Sequence, residues 1–149
     1  MANFTVDLNK WIAKTQESTE KLVREVVFGL SERIVERTPV GNPDGPPKWK
    51  SPPPPGYVGG RARANWQYGF NAPPQGDLPD VDASGRASLN RVNAGVKAAK
   101  AAGVHYIVNN LPYAQALEDG HSTQSPHGMV RLAVVDMQGI VAEIVAGLK

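Results

Sequence analysis

A chain of 149 residues, 41% hydrophobic and 20% charged, fits one domain with a core of its own and is neither disordered nor membrane-like in composition. It contains no cysteine, which excludes disulfides and thiolate metal sites, and no apolar run near the ~18 residues that a membrane-spanning helix needs. The net charge of +2 hides an asymmetry: residues 48–100 hold eight Lys/Arg against three Asp, and the remainder holds eight bases against eleven acids. The basic middle can therefore face an acidic partner or the acidic part of another copy.

The first residues, MANFTVDLNKW, carry neither a basic n-region nor an apolar h-region, so no signal peptide is expected. Residues 7–37 read as one long amphipathic helix. Leu8, Trp11, Ile12, Leu22, Val23, Val26, Val27, Leu30 and Ile34 largely keep the 3–4 spacing of one apolar face. The pattern weakens over Thr15–Thr19, which predicts a bend or a less buried turn. Glu17–Lys21 and Glu20–Arg24 are i,i+4 pairs in the favourable order. Thr38-Pro39 stops the helix, because a residue before proline avoids the α region. About 30 helical residues reach roughly 45 Å, long for a domain of this size, and such a helix can lie on a neighbouring subunit.

Residues 39–60, PVGNPDGPPKWKSPPPPGYVGG, form a Pro-rich loop. Pro52–Pro55 favour extended polyproline II, and a loop of this length is usually functional or disordered. Trp49 and Tyr57 within it suit docking onto a neighbour; the competing expectation is that they fold back on their own core. Residues 63–72 alternate as a strand, with Trp66, Tyr68 and Phe70 on one face. Residues 73–83 are a second turn-rich loop. Residues 84–101 read as a helix carrying Leu89, Val92, Val96 and Ala99 on one side, with Gly103 as its stop. Residues 104–109 read as a short strand, and Pro112 to Asp119 as a short helix opened by proline and closed by Gly120. Ser125-Pro126 reads as the start of a terminal helix with the stripe Val130, Ala133, Val134, Met137, Ile140, Val141, Ile144, Val145 and Leu148, weakened at Gly139 by about 1 kcal/mol relative to Ala. This order predicts an α+β fold: a small antiparallel sheet packed against long N- and C-terminal helices in a single domain, 1–149, with an extended Pro-rich loop.

No constellation for chemistry stands out. His121 and His127 could approach a metal with Glu118 or Asp119, but their spacing matches no zinc pattern. Asp80-Val81-Asp82 resembles paired magnesium-site acids without a second carboxylate motif nearby. No serine lies in a G-x-S-x-G elbow, and no G-K-[ST] follows Gly59-Gly60-Arg61. The expectation is a protein with no catalytic residue, cofactor or metal. Nucleic-acid binding competes, since the basic middle interleaves Trp49, Tyr57 and Trp66, yet no helix-turn-helix, finger or RNA-reading signature is present.

A more specific pattern lies in YIVNNLPYAQALEDGHSTQSPHGMVRLAV, which begins at Tyr106. A strand runs into Asn109, Asn110, Pro112, Tyr113 and Ala114. A short helix then reaches Glu118, followed by Gly120, His121, Gln124 and Pro126 before the last helix. Earlier come Arg37-Thr38-Pro39-Val40-Gly41 and Gly60-Arg61-Ala62-Arg63-Ala64-Asn65-Trp66. In kind and order these resemble the minor tail or tail-completion proteins of tailed bacteriophages, the neck group that joins head to tail. The group often has D-T-G and a short connection where this chain has its Pro-rich insertion. The resemblance implies a non-enzymatic virion protein, made in the host cytoplasm and needing no membrane. It implies a hexameric or dodecameric ring that contacts the tail tube or terminator protein and the head connector or stopper, with DNA passing through its lumen. The alternatives are a terminator ring that stops tube growth and a DNA-binding accessory protein. Trp49, Tyr57, Arg61, Arg63, Trp66, Tyr113, Glu118, His121 and Gln124 are the candidate interface residues.

Overall fold

The structure, a computed structural model, describes residues 2–46 and 48–147, with side chains from residue 16 onward. The predicted stripe positions Leu8, Trp11, Ile12 and Leu148 lie outside the described side chains.

Helix α1 spans Ala2–Arg37, starting five residues earlier than the apolar pattern suggests. It runs unbroken through the weak stretch, where residues 16–21 are all exposed. Glu20 pairs with Arg24 as expected, while Lys21 pairs with Glu25 and not Glu17. At its C-terminus the orphan carbonyls of the last turn need donors. The Arg63 guanidinium supplies them: it donates to Glu36 O (2.9 Å), to Thr38 O (3.1 Å) and across to Ala83 O (2.8 Å). Thr38 donates its hydroxyl back to Ile34 O and accepts the Trp66 indole N–H at 2.8 Å.

The chain then crosses the irregular 39–60 segment to a single helical turn, α2 (Arg61–Ala64). The strand expected from residue 63 therefore begins only at Trp66. Strand β1 (Trp66–Phe70) pairs antiparallel with β2 (His105–Asn109), in a register from Trp66 opposite Asn109 to Phe70 opposite His105. Two strands alone are marginal in water, and α3 (Arg86–Ala98) packs on β1 and α1 to cover them. The Asp82 carboxylate takes the Ala87 and Ser84 N–H groups at the head of α3. That helix ends at Ala98, five residues before Gly103, as Ala99 turns extended and its carbonyl accepts from Arg24.

After β2 come α4 (Ala114–Glu118), α5 (Val130–Val135) and α6 (Met137–Gly147). The terminal helix does not start at Ser125-Pro126. The Ser125 hydroxyl donates to Gly128 O, and Gly128 N to Ser125 O, closing a turn that holds Pro126. The helix is also stepped at Asp136, whose carboxylate binds Arg37. Ile34, Val35, Trp66, Met129 and Ala133 form the core, flanked by Leu30, Leu89, Ile107, Leu117 and Val130. The result is the expected α+β arrangement, a two-stranded antiparallel sheet packed with long helices. Among the described residues, no helix is long and apolar enough to cross a membrane.

Candidate functional site

The Pro-rich segment is fastened where it leaves α1. The Gln124 side-chain amide holds Val40 at both backbone groups, accepting from its N–H (3.0 Å) and donating to its C=O (2.7 Å). This is the bonding of a β-bridge made by one side chain. The next residue is glycine, and the rings rest on it: a Cβ at Gly41 would sit 1.8 Å from the Tyr57 hydroxyl and 3.4 Å from the Trp49 ring, so a larger residue would push Tyr57 away. The two aromatics therefore fold back over the start of their own loop, with ring centroids 5.1 Å apart and planes tilted by 60°. Trp49 N–H bonds to Pro43 O and Tyr57 N–H to Pro54 O, so the loop closes on itself. The expectation that these rings fold back on the core is not met. They are not in the core, and each stays about 40% exposed, at 43% and 38%.

Tyr113 belongs to the same surface and is 42% exposed. Partial burial pushes its phenol above the ordinary range. The Arg61 guanidinium opposes that shift, and the Tyr57 phenol and Asp77 carboxylate reinforce it. Arg61 itself donates to Asp77 at 2.6 Å. The fold thus gathers Trp49, Tyr57 and Arg61 from one stretch of chain and Tyr113 from another, with exposed Val58 beside the first three in the chain. Half-exposed aromatic rings beside a guanidinium are the composition of protein contact surfaces. They offer apolar area, phenolic hydroxyls and a cation that can lie on a ring face.

The remaining expected interface residues have other positions. Trp66 is a core residue, 4% exposed, with its indole N–H spent on Thr38. Arg63 ties the end of α1 to Ala83 and is not available as a surface cation. Gln124 is exposed but engaged on Val40. His121 is exposed at the end of the α4 turn.

Glu118 caps a helix other than its own. Its carboxylate accepts the N–H groups of Met129 (2.8 Å), Val130 (2.9 Å) and Arg131 (2.9 Å), three orphan donors at the start of α5. Burial pushes its carboxyl up, but the three N–H bonds and the Arg131 charge outweigh that and hold it below the ordinary glutamate range. With both oxygens so engaged, Glu118 is not free to join His121 or His127 around a metal. Among the described residues no cluster of three His, Asp or Glu side chains is placed to hold an ion. Gly120 completes the corner at φ 88, where His121 N–H reaches Ala116 O and Gly120 N–H reaches Leu117 O. This is the Schellman pairing that favours glycine.

Sequence reasoning missed Asp77, which fixes Arg61, and Asn65, a fully buried amide that holds Leu78 by its N–H (2.7 Å) and C=O (3.1 Å). Asp77 has no local signal. Asn65 does carry one, as the residue between a basic helical turn and an aromatic strand, but its partner lies 13 positions away. Comparison of the chain with protein-family models, curated proteins and solved structures finds no match.

Proposed function

We propose that this chain is a structural, non-enzymatic protein that works by contact. More particularly, it is a tail-completion subunit of a tailed phage particle, forming a ring in the neck that completes the tail and joins it to the head connector. The observation that carries this reading is how the resemblance behaves in space. Its three separated motifs are stitched together by side chains: Trp66 and Arg63 to Thr38, and Gln124 to Val40. The joints also leave Trp49, Tyr57, Arg61 and Tyr113 together on an outer surface. The charged side-chain ends of Lys48, Lys50, Arg86 and Lys100 have no hydrogen bond or ion pair among the described residues, so they are open to an acidic partner ring or to DNA in the lumen.

The test is deletion of the gene in its phage, followed by electron microscopy of the lysate. Tails of normal length that fail to join heads support completion, and over-long tails support a terminator instead. Normal infectious particles refute both. Salt-sensitive retention of the purified protein on DNA, without binding to tubes or connectors, favours the accessory DNA-binding role.

A further inference from the structure

Helix α1 is longer than the body that covers it. Helix α6 runs antiparallel along it: Asp136 meets Arg37, Ile140 sits against Gly29, and Glu143 pairs with Arg33. Continuing that register brings the end of α6 opposite the part of α1 near Leu22. Helix α3 ends at the same level, where Ala99 O accepts from Arg24. Beyond it residues 16–21 are exposed, and the helical backbone continues to Ala2. The groove between these helices reaches as far as Glu17, so about 15 residues, or roughly 22 Å of helix, continue past it. A free helix of this length is only marginally stable in water. Its sequence nonetheless carries an apolar stripe at i, i+4, i+7 and i+8: Phe4, Leu8, Trp11 and Ile12.

The body offers a matching surface. Helices α1, α3 and α6 enclose a groove of about 600 Å³ whose apolar lining includes Phe28, Val96, Ile140 and Ile144. That volume lies within the roughly 300–1,000 Å³ range of sites that bury a guest. The groove lining carries five acids against four bases, and of these Glu17, Glu32 and Lys97 have no ion-pair partner among the described residues. The arm, residues 2–16, carries Lys10 and Lys14 against one acid, Asp7. A chain cannot fill its own groove, because its arm and one groove wall are parts of one continuous helix. Residue 11 lies about 21 Å along the axis from residue 25.

We infer that the N-terminal arm of α1 docks into the α1–α3–α6 groove of a second copy of the chain. Arm and groove are different surfaces, so the contact is head to tail and closes into a ring or a reciprocal pair. The inference rests on the ring-forming reading and adds the contact that would build it.

The test is sedimentation velocity on the full chain and on three variants: Trp11→Glu in the arm, Ile144→Glu in the groove lining, and Glu32→Lys on the rim. Glu32 is at the surface of the body, so its change tests docking without opening the core. The wild type is expected to assemble, and each variant to associate at least tenfold more weakly. Mixing Trp11→Glu, with its intact groove, and Ile144→Glu, with its intact arm, restores one good contact and should give a heterodimer that goes no further. Assemblies of unchanged mass in Trp11→Glu overturn the arm while leaving the ring reading standing, as does a mixture that gives no heterodimer. A wild type that stays monomeric at all concentrations overturns the arm and, with it, self-assembly of the free protein into a ring.

Discussion

Two irregular segments leave the first sheet strand and the first helix, and the same chemistry holds each in place. A side-chain amide grips one backbone residue by both its N–H and its C=O. For residues 73–83 the amide is Asn65 on Leu78, fully buried. For residues 39–60 it is Gln124 on Val40, at the surface. Further ties widen the contrast. Gly76 O accepts from Gln67 and Asn110, and Arg61–Asp77 and Arg91–Asp80 link the shorter loop to helices on either side. Among the described residues between Gly45 and Gly56, the Pro-rich loop is bonded mainly to itself. A buried amide cannot exchange its partner for water and an exposed one can, so burial decides whether a loop is part of the fold or an attachment to it.

The sharpest way to break that contrast is Asn65→Ala. It removes a fully buried amide and with it the partner of the part-buried Leu78 N–H and Arg61 carbonyl, and should cost about 1–3 kcal/mol of global stability. The midpoint of denaturant unfolding measures this, and a loss under about 0.5 kcal/mol would place both loops in the same class. Glu118 is half-buried and should fall between the two clamps. Replacing it with Gln leaves one acceptor for three N–H groups and removes the charge, at about 1–2 kcal/mol near neutral pH. Its acid dependence has a fixed sign. The folded carboxyl sits below its ordinary value, so its contribution is full above the ordinary glutamate range and disappears as the pH falls through the folded value. The Gln variant should lose that part of the acid sensitivity. Equal acid slopes for the two proteins would place the pH dependence elsewhere.

What was legible in the sequence follows the same division. The periodic apolar faces of α1 and α3 and the Pro39 stop are local patterns, and so is the Gly120 corner. Each appears in the structure close to where the pattern puts it. The exceptions share a cause. Strand β1 starts late because Arg61–Ala64 coils to aim Arg63 at the end of α1. The last helix starts late because its cap, Glu118, comes from another helix and not from Ser125. Side chains acting across 11 to 28 positions leave no mark in a local window. For the same reason Trp66 and Arg63 looked like surface residues: an aromatic or a cation shows nothing of its partner until the chain brings Thr38 beside it.

The smallest expected effect tests the surface itself. Gln124→Ala exposes the Val40 backbone groups to water, which takes their place, so global stability should change by no more than about 0.5 kcal/mol. The consequence is local. Val40 precedes Gly41, on which the Tyr57 hydroxyl and the Trp49 ring rest, so releasing the clamp loosens the platform under both rings. Hydrogen exchange should quicken at Val40, Trp49 and Tyr57 while the amides of β1 and β2 keep their protection. Protease cleavage should rise between residues 40 and 58, and Trp49 should become more accessible to a fluorescence quencher. If β1 and β2 exchange faster as well, the Pro-rich loop is part of the cooperative fold, and its aromatic surface is held by the core and not by one exposed amide.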